Sequence, residues 1–277
     1  MAVSWLERGD PSGIPVVHFH GWPSSRLEQF ADDALLRRYG LRWLSLDRPG
    51  YGETRFAAEH TFTNWARTVD QWADTQGLER FHVSGFSGGG PFAQAVAAHL
   101  GPRILSLNLI ASLAPFGPDA VTVAPPWSGL RGWILDSTPW LATGMLKLLD
   151  QCRHLNPAAV GRFQLSLLHP LDQAALAQPH HRERMAASLA VAMQQGVGHI
   201  LADLHLYRST WDFQYDDIRC PAHLWVGTED QQVPPECSRW LAGRIKNARL
   251  KQFEGEAHYL ALNHSTEIIK TIAASAS

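Results

Sequence analysis

The sequence predicts an α/β fold: a doubly wound, mostly parallel sheet with helices on both faces, broken once by a helical insertion. Three observations predict it. Most of the short apolar runs lack strict polar alternation, helical spacings separate them, and this rhythm fails between about Pro115 and Tyr215. A strand covered by helices on both faces is apolar on both sides, so it reads as a continuous run.

The runs are Ile14 to His20, Leu41 to Leu46, Arg80 to Ser84, Ile104 to Ala111, Ala222 to Val226 and Arg249 to Phe253. Between the second and third, Trp65, Ala66, Val69, Trp72 and Ala73 follow Phe62 at three- and four-residue intervals, and Gly77 supplies the stop. Helices follow again over Gly88 to Leu100, Pro235 to Ile245 and Tyr259 to Ile272. Right-handed crossovers between parallel strands then place helices on both faces.

Proline and glycine in Pro115-Phe116-Gly117-Pro118 permit an exit from the sheet. Beyond them come helical spacings such as Met185, Leu189 and Met193, with no buried strand pattern. The expected division is therefore a core of residues 1–114 and 216–277 and a helical cap of residues 115–215. Its tryptophans, Trp127, Trp133, Trp140 and Trp211, read either as the insertion's own core or as walls of a pocket.

A chain of 277 residues suits one such domain. Apolar residues make up 45% and charged residues 18%, enough for a large core and unlike a disordered chain. The net charge of −2, without long runs of one sign, points away from nucleic-acid and anionic-membrane partners and toward a small, fairly apolar molecule. Cys152, Cys220 and Cys237 are too scattered for a disulfide framework, so a reducing compartment is expected. Residues 1–8 lack the pattern of a signal peptide and no apolar run is long enough to span a bilayer, so the expected location is the cytoplasm. Nothing in the sequence points to an oligomeric state.

The chemistry starts at Gly85-Phe86-Ser87-Gly88-Gly89, a G-x-S-x-G between a strand and a helix. The pattern alone arises by chance in about one chain in ten of this length. Its place carries the argument: an abrupt strand-to-helix bend lifts the Ser87 hydroxyl above the sheet, near the positive end of a helix. A serine hydroxyl needs a base to take its proton. His258 stands in a loop after the last strand, at the carboxyl ends where open sheets bind ligands. The imidazole in turn needs a carboxylate. Asp230, in the loop after the preceding strand, is favoured over its neighbour Glu229 because its G-x-x-D-x-x-V-P setting resembles the spacing seen around this acid in many hydrolases. The chain order Ser87, Asp230, His258 is that of hydrolases with a nucleophile elbow.

Two further segments make a resemblance specific. Val17-His18-Phe19-His20-Gly21-Trp22-Pro23 resembles the H-G-x-P motif of the α/β-hydrolase superfamily, and Asp47-Arg48-Pro49-Gly50-Tyr51-Gly52 resembles its D-x-x-G-x-G loop. The resemblance covers nearly the whole chain, and the insertion least. It implies an oxyanion hole from the backbone N–H groups of Trp22 and Gly88. It also implies a sheet whose first edge strand is missing here, because only Val3 to Leu6 precedes the first strong run.

Relatives that open epoxides or remove halide carry aspartate where this chain has Ser87, so the implied reaction is acyl transfer to water. A carboxylic ester leads as substrate. The alternatives are cleavage of a C–C bond in a vinylogous diketone and a non-catalytic binding protein on the same fold. Phe86, Arg26, Trp133 and Trp140 are the expected substrate contacts, with an ordinary surface residue as the other reading of Arg26. No cofactor or metal is expected: His18 and His20 form an H-x-H pair, but no matching Asp-His follows. His20 reads instead as a residue that orders its loop, Asp47 as a turn residue, and Arg48 or Tyr51 as near the site.

Overall fold

A computed structural model describes residues 2–56, 59–116, 120–121, 165–275 and a few positions between 140 and 151. Strands β1 (Trp5–Gly9), β2 (Ile14–Phe19), β3 (Leu41–Leu46), β4 (Phe81–Phe86), β5 (Ile104–Ile110), β6 (Ala222–Gly227) and β7 (Ala248–Phe253) form one sheet. Their order is β1-β3-β2-β4-β5-β6-β7, with β1 antiparallel to β3 and every other pair parallel.

Side chains of successive strand residues point to opposite faces, so each strand feeds two cores. Val17, Phe19, Leu44, Leu46, Val83 and Leu109 enter one, and Val16, Trp43, Phe86, Ile110 and Trp225 enter the other. Helices α1 (Asp33–Arg38), α2 (Phe62–Thr75) and α3 (Gly90–Leu100) follow β2, β3 and β4. On α2 the residues Phe62, Trp65, Ala66, Val69, Trp72 and Ala73 are all buried against the first core. The Thr61 side chain caps that helix by accepting from the Asn64 N–H at 3.1 Å.

Between β5 and β6 lie α4 (Pro170–Ala175), α5 (Pro179–Ala192) and α6 (Gly198–Arg208); α7 (Pro235–Arg244) and α8 (Leu260–Ala274) complete the chain. The Met185, Leu189, Met193 spacing falls on α5 and its cap residue. Trp211 is buried in the first core, edge-on to Phe62 at 5.2 Å. Trp127, Trp133 and Cys152 lie outside the described residues, and Trp140 is 72% exposed. Among the described residues no helix is long and apolar enough to cross a membrane.

The chain leaves β2 outward to β3 and returns to its other side as β4. Loops at the carboxyl ends of β2 and β4 therefore part from each other, the place where such sheets open a crevice. Pairing of Phe19 with Gly85 ends the two strands level and sets His20 to Trp22 beside Ser87. Pairing of Gly227 with Phe253 does the same for the loops that carry Asp230 and His258.

Candidate active site

Ser87 takes φ of +51°, a left-handed conformation that a serine adopts at a cost of about 1–3 kcal/mol. The bend is possible because its neighbours are small. A Cβ on Gly85 would stand 2.6 Å from the Gly89 carbonyl oxygen, and one on Gly89 would stand 2.1 Å from that of Phe19. Ser87 opens into a cavity of about 220 Å³, with His258, Phe86 and Trp22 in the same wall. No hydrogen bond between described residues occupies the Ser87 hydroxyl. Contacts from such a hydroxyl to its base are often long until substrate arrives.

The His258 ring is buried and fixed from one side. Its Nδ1 donates to Asp230 Oδ2 at 2.8 Å, which leaves Nε2 as the acceptor nitrogen in the neutral ring. Asp230 is itself fixed: its Oδ1 accepts the backbone N–H groups of Gln232 and Val233, both at 2.9 Å. A carboxylate bonded to N–H groups two and three residues on is the turn chemistry that the G-x-x-D-x-x-V-P spacing encodes. Glu229 next to it is exposed. Burial works to lower the His258 pKa, but the Asp230 charge and hydrogen bond prevail, and the net shift is upward from 6.5. Phe86 lies against the ring at 4.8 Å between centroids.

The segment after β2 is ordered by histidine. His20 Nε2 accepts the Arg48 backbone N–H at 3.2 Å, so its Nδ1 carries the proton and donates to the Gly21 carbonyl at 2.9 Å. Burial, and then Arg48, hold its pKa well below 6.5, so the ring is neutral. Trp22 is anchored by its indole N–H, which donates to the Ile200 carbonyl on α6 at 2.8 Å. Gly88 packs directly on this segment, since a Cβ there would lie 2.7 Å from the Trp22 Cβ. His18, the other half of the H-x-H pair, contacts Ser84 at 3.2 Å and Glu28 at 3.3 Å.

Beneath the segment runs a polar network that sequence reasoning missed. Arg48 is fully buried; it pairs with Asp203 and donates to the Gly21 carbonyl and the Tyr207 hydroxyl, both at 3.1 Å. Tyr51 and His60 also contact Asp203, each at 2.7 Å, and the Tyr207 hydroxyl donates to the Gly88 carbonyl at 2.9 Å. The D-x-x-G-x-G loop announced Arg48 and Tyr51. Asp203 carries no local signal, because its partners stand far away in the chain.

The expected substrate contacts fare unequally. Phe86 lines the cavity. Arg26 does not: its backbone N–H donates to Asp47 Oδ1 at 2.7 Å, and its guanidinium pairs with Asp47 and Glu53. The buried Asp47 carboxylate, on the loop after β3, holds that charge away from the cavity, contrary to the expectation for Arg26. Trp140 does not line the cavity either, and Trp133 lies outside the described residues. Among the described residues no group of three or more His, Cys, Asp or Glu side chains is placed to hold a metal.

Comparison with known proteins bears on the family and the fold. A family model described as alpha/beta hydrolase fold matches residues 14–265. A pimeloyl-[acyl-carrier protein] methyl ester esterase from Aromatoleum aromaticum is 28% identical over 233 residues, 81% of this chain and 83% of that protein. A 2-hydroxymuconate semialdehyde hydrolase from Pseudomonas putida is 25% identical over 231 residues, 80% of this chain and 72% of that one. The crystal structure of an esterase from Rhodococcus sp. ECU1013 superposes with a TM-score of 0.71 at 16% identity, covering 99% of this chain and 95% of its own, a likeness of fold alone.

Proposed function

The chain belongs to the alpha/beta hydrolase fold family, and on that premise we propose that it is a serine hydrolase cleaving a small, fairly apolar carboxylic ester through an acyl-enzyme. One observation carries the reading: a serine on a left-handed bend shares a cavity with a histidine whose far nitrogen is held by a buried aspartate. Ser87 Oγ attacks the ester carbonyl while His258 Nε2 takes its proton. Asp230 keeps the ring in the required tautomer and offsets the charge that forms on it. The negative oxygen of the tetrahedral intermediate is received by the backbone N–H groups of Trp22 and Gly88; one such donor is worth about 3 kcal/mol in typical acyl-transfer enzymes. Collapse expels the alcohol, which takes the proton from His258. Water, deprotonated by the same imidazole, then attacks the acyl-enzyme and frees the acid and Ser87.

In this reading residues 115–215 act as a cap. Met185 and Leu189 of α5 give apolar lining to the cavity that Ser87 shares, and the cavity's size favours a short acyl or alcohol group. The esterase-named relative supports an ester, whereas the relative named as a semialdehyde hydrolase keeps C–C cleavage as the second reading. A fluorophosphonate probe tests the mechanism: one label per chain on Ser87, none in Ser87→Ala, and slowed labelling in His258→Ala. An unlabelled native protein would instead be a binding protein on this fold. A panel of p-nitrophenyl esters beside a vinylogous 1,5-diketone separates the two reactions, and selective turnover of the diketone reverses their order.

A further inference from the structure

One buried acid beside the cavity has no part in the steps above. Asp172, on α4, is 1% exposed. It does not cap its helix, where the His169 side chain already accepts from the Leu171 N–H. Instead Asp172 Oδ1 accepts the backbone N–H of Tyr259 at 2.8 Å, and Oδ2 accepts from Gln232 Nε2 at 3.3 Å. These donors sit on different loops. Tyr259 follows His258 directly, and the Gln232 backbone N–H already bonds to Asp230. Burying a carboxylate costs several kcal/mol unless donors or charges compensate it. No lysine or arginine among the described residues pairs with Asp172. Burial raises the Asp172 pKa from its ordinary 3.8, and the Tyr259 N–H, the nearby His258 ring and the Gln232 amide oppose that rise without cancelling it.

We propose that Asp172 is a positioning residue for the reaction, clamping the Gln232 and Tyr259 segments together and placing a second negative charge behind the His258 ring. The proposal rests on the reading of Ser87, His258 and Asp230 given above. Three acids act on His258: Asp230 by direct contact, Asp172 from α4, and Glu28 from the segment after β2. Phe86 and Tyr259 supply its aromatic surroundings. Glu28 also accepts the Gly21 N–H and contacts His18. Asp172 is therefore the one of the three that joins the insertion to both catalytic loops. Its charge favours the imidazolium that forms as Ser87 loses its proton, and its two bonds limit how far the ring can swing.

The test follows phosphonylation of Ser87 by a fluorophosphonate against pH, in which the serine oxygen displaces fluoride from phosphorus; it requires no knowledge of the natural substrate. Asp172→Asn keeps the shape and an oxygen for the Tyr259 N–H, and the Gln232 amide can turn to receive the new NH2 group. Only the charge is lost, so the acid limb of the rate moves to lower pH by about half a unit or more. Gln232→Ala keeps the charge, lowers the plateau rate and leaves the limb in place. Asp172→Glu also keeps the charge and holds the limb, and it carries the test if the asparagine variant does not fold. An unmoved limb in Asp172→Asn, an equal shift in Gln232→Ala, or a lowered limb in Asp172→Glu overturns the proposal. A native protein that never labels overturns the reading of the site instead.

Discussion

Two buried acid–base pairs flank the bend at Ser87, and they differ in whether a proton can move between their states. Asp230 holds His258, whose other nitrogen has no partner among the described residues and whose ring lines the cavity. Asp203 holds Arg48 in a setting with no exposure on either side chain. Burial disfavours the Arg48 charge, yet Asp203 outweighs it and raises the guanidinium's pKa. Burial likewise opposes the Asp203 charge, and Arg48 with His60 still brings it down to about 2. Neither partner of that pair changes charge near neutral pH, whereas an imidazole does. Burial and pairing therefore do not by themselves mark a reacting group; a titrating base facing a cavity does. The Arg48 pair acts as framing, holding the Gly21 carbonyl and, through Tyr207, the Gly88 carbonyl.

Asp230→Asn should have the largest effect. The asparagine keeps the shape but lets the ring take the wrong tautomer, so kcat on the best ester of the panel should fall by about 10⁴. Stability should change little by comparison. A loss below tenfold would erase the distinction between the two pairs.

Arg48→Met probes the other pair and should act on stability. It leaves Asp203 buried without its guanidinium partner, held by Tyr51 and His60, which costs about 3–5 kcal/mol of unfolding free energy, read from a denaturant titration. Arg48→Met combined with Asp203→Leu should recover part of that, because the two apolar side chains need no compensation while Tyr51 and His60 lose their acceptor. The acid limb of Ser87 labelling should stay in place in the double variant. A shifted limb would mean that the framing pair also tunes His258.

The comparison also explains what the sequence made legible. All six runs became strands within about two residues at either end; five are largely buried and read as apolar throughout, whereas β7, at the sheet edge, is half exposed and mixed in character. At the end of the chain where the resemblance implies a missing edge strand, the structure has β1 at the sheet edge; Trp5-Leu6-Glu7-Arg8-Gly9 is half exposed and mixed in character, so it reads as no run. α1 escaped because six residues with one buried leucine, Leu36, show no period. Ser87, Asp230 and His258 each sit in a turn whose local residues betray it, glycines for the serine and a forward-bonded carboxylate for Asp230. Asp172 and Asp203 sit on plain helices and find their partners across loops distant in sequence, which local pattern cannot encode. Arg26 was visible, but its fate was decided by Asp47, and that contact depends on how the two loops meet.

The smallest of these effects concerns acid. Asp203 has its pKa depressed by folding, from an ordinary 3.8 to about 2. A group depressed in the folded state contributes stability above its unfolded pKa, and that contribution is lost as pH falls through the folded value. Above about pH 4 both states are ionised and the contribution is complete; between about pH 4 and pH 2 the unfolded chain takes up the proton first, and on the order of 2 kcal/mol disappears. The double variant without Arg48 and Asp203 lacks this term. Its denaturant midpoint should therefore fall less steeply than the native one over that window, while the curves run parallel from pH 5 to pH 7. Parallel curves throughout would mean that Asp203 is not held charged by Arg48, and the framing pair would then be as free to exchange its proton as the pair at His258.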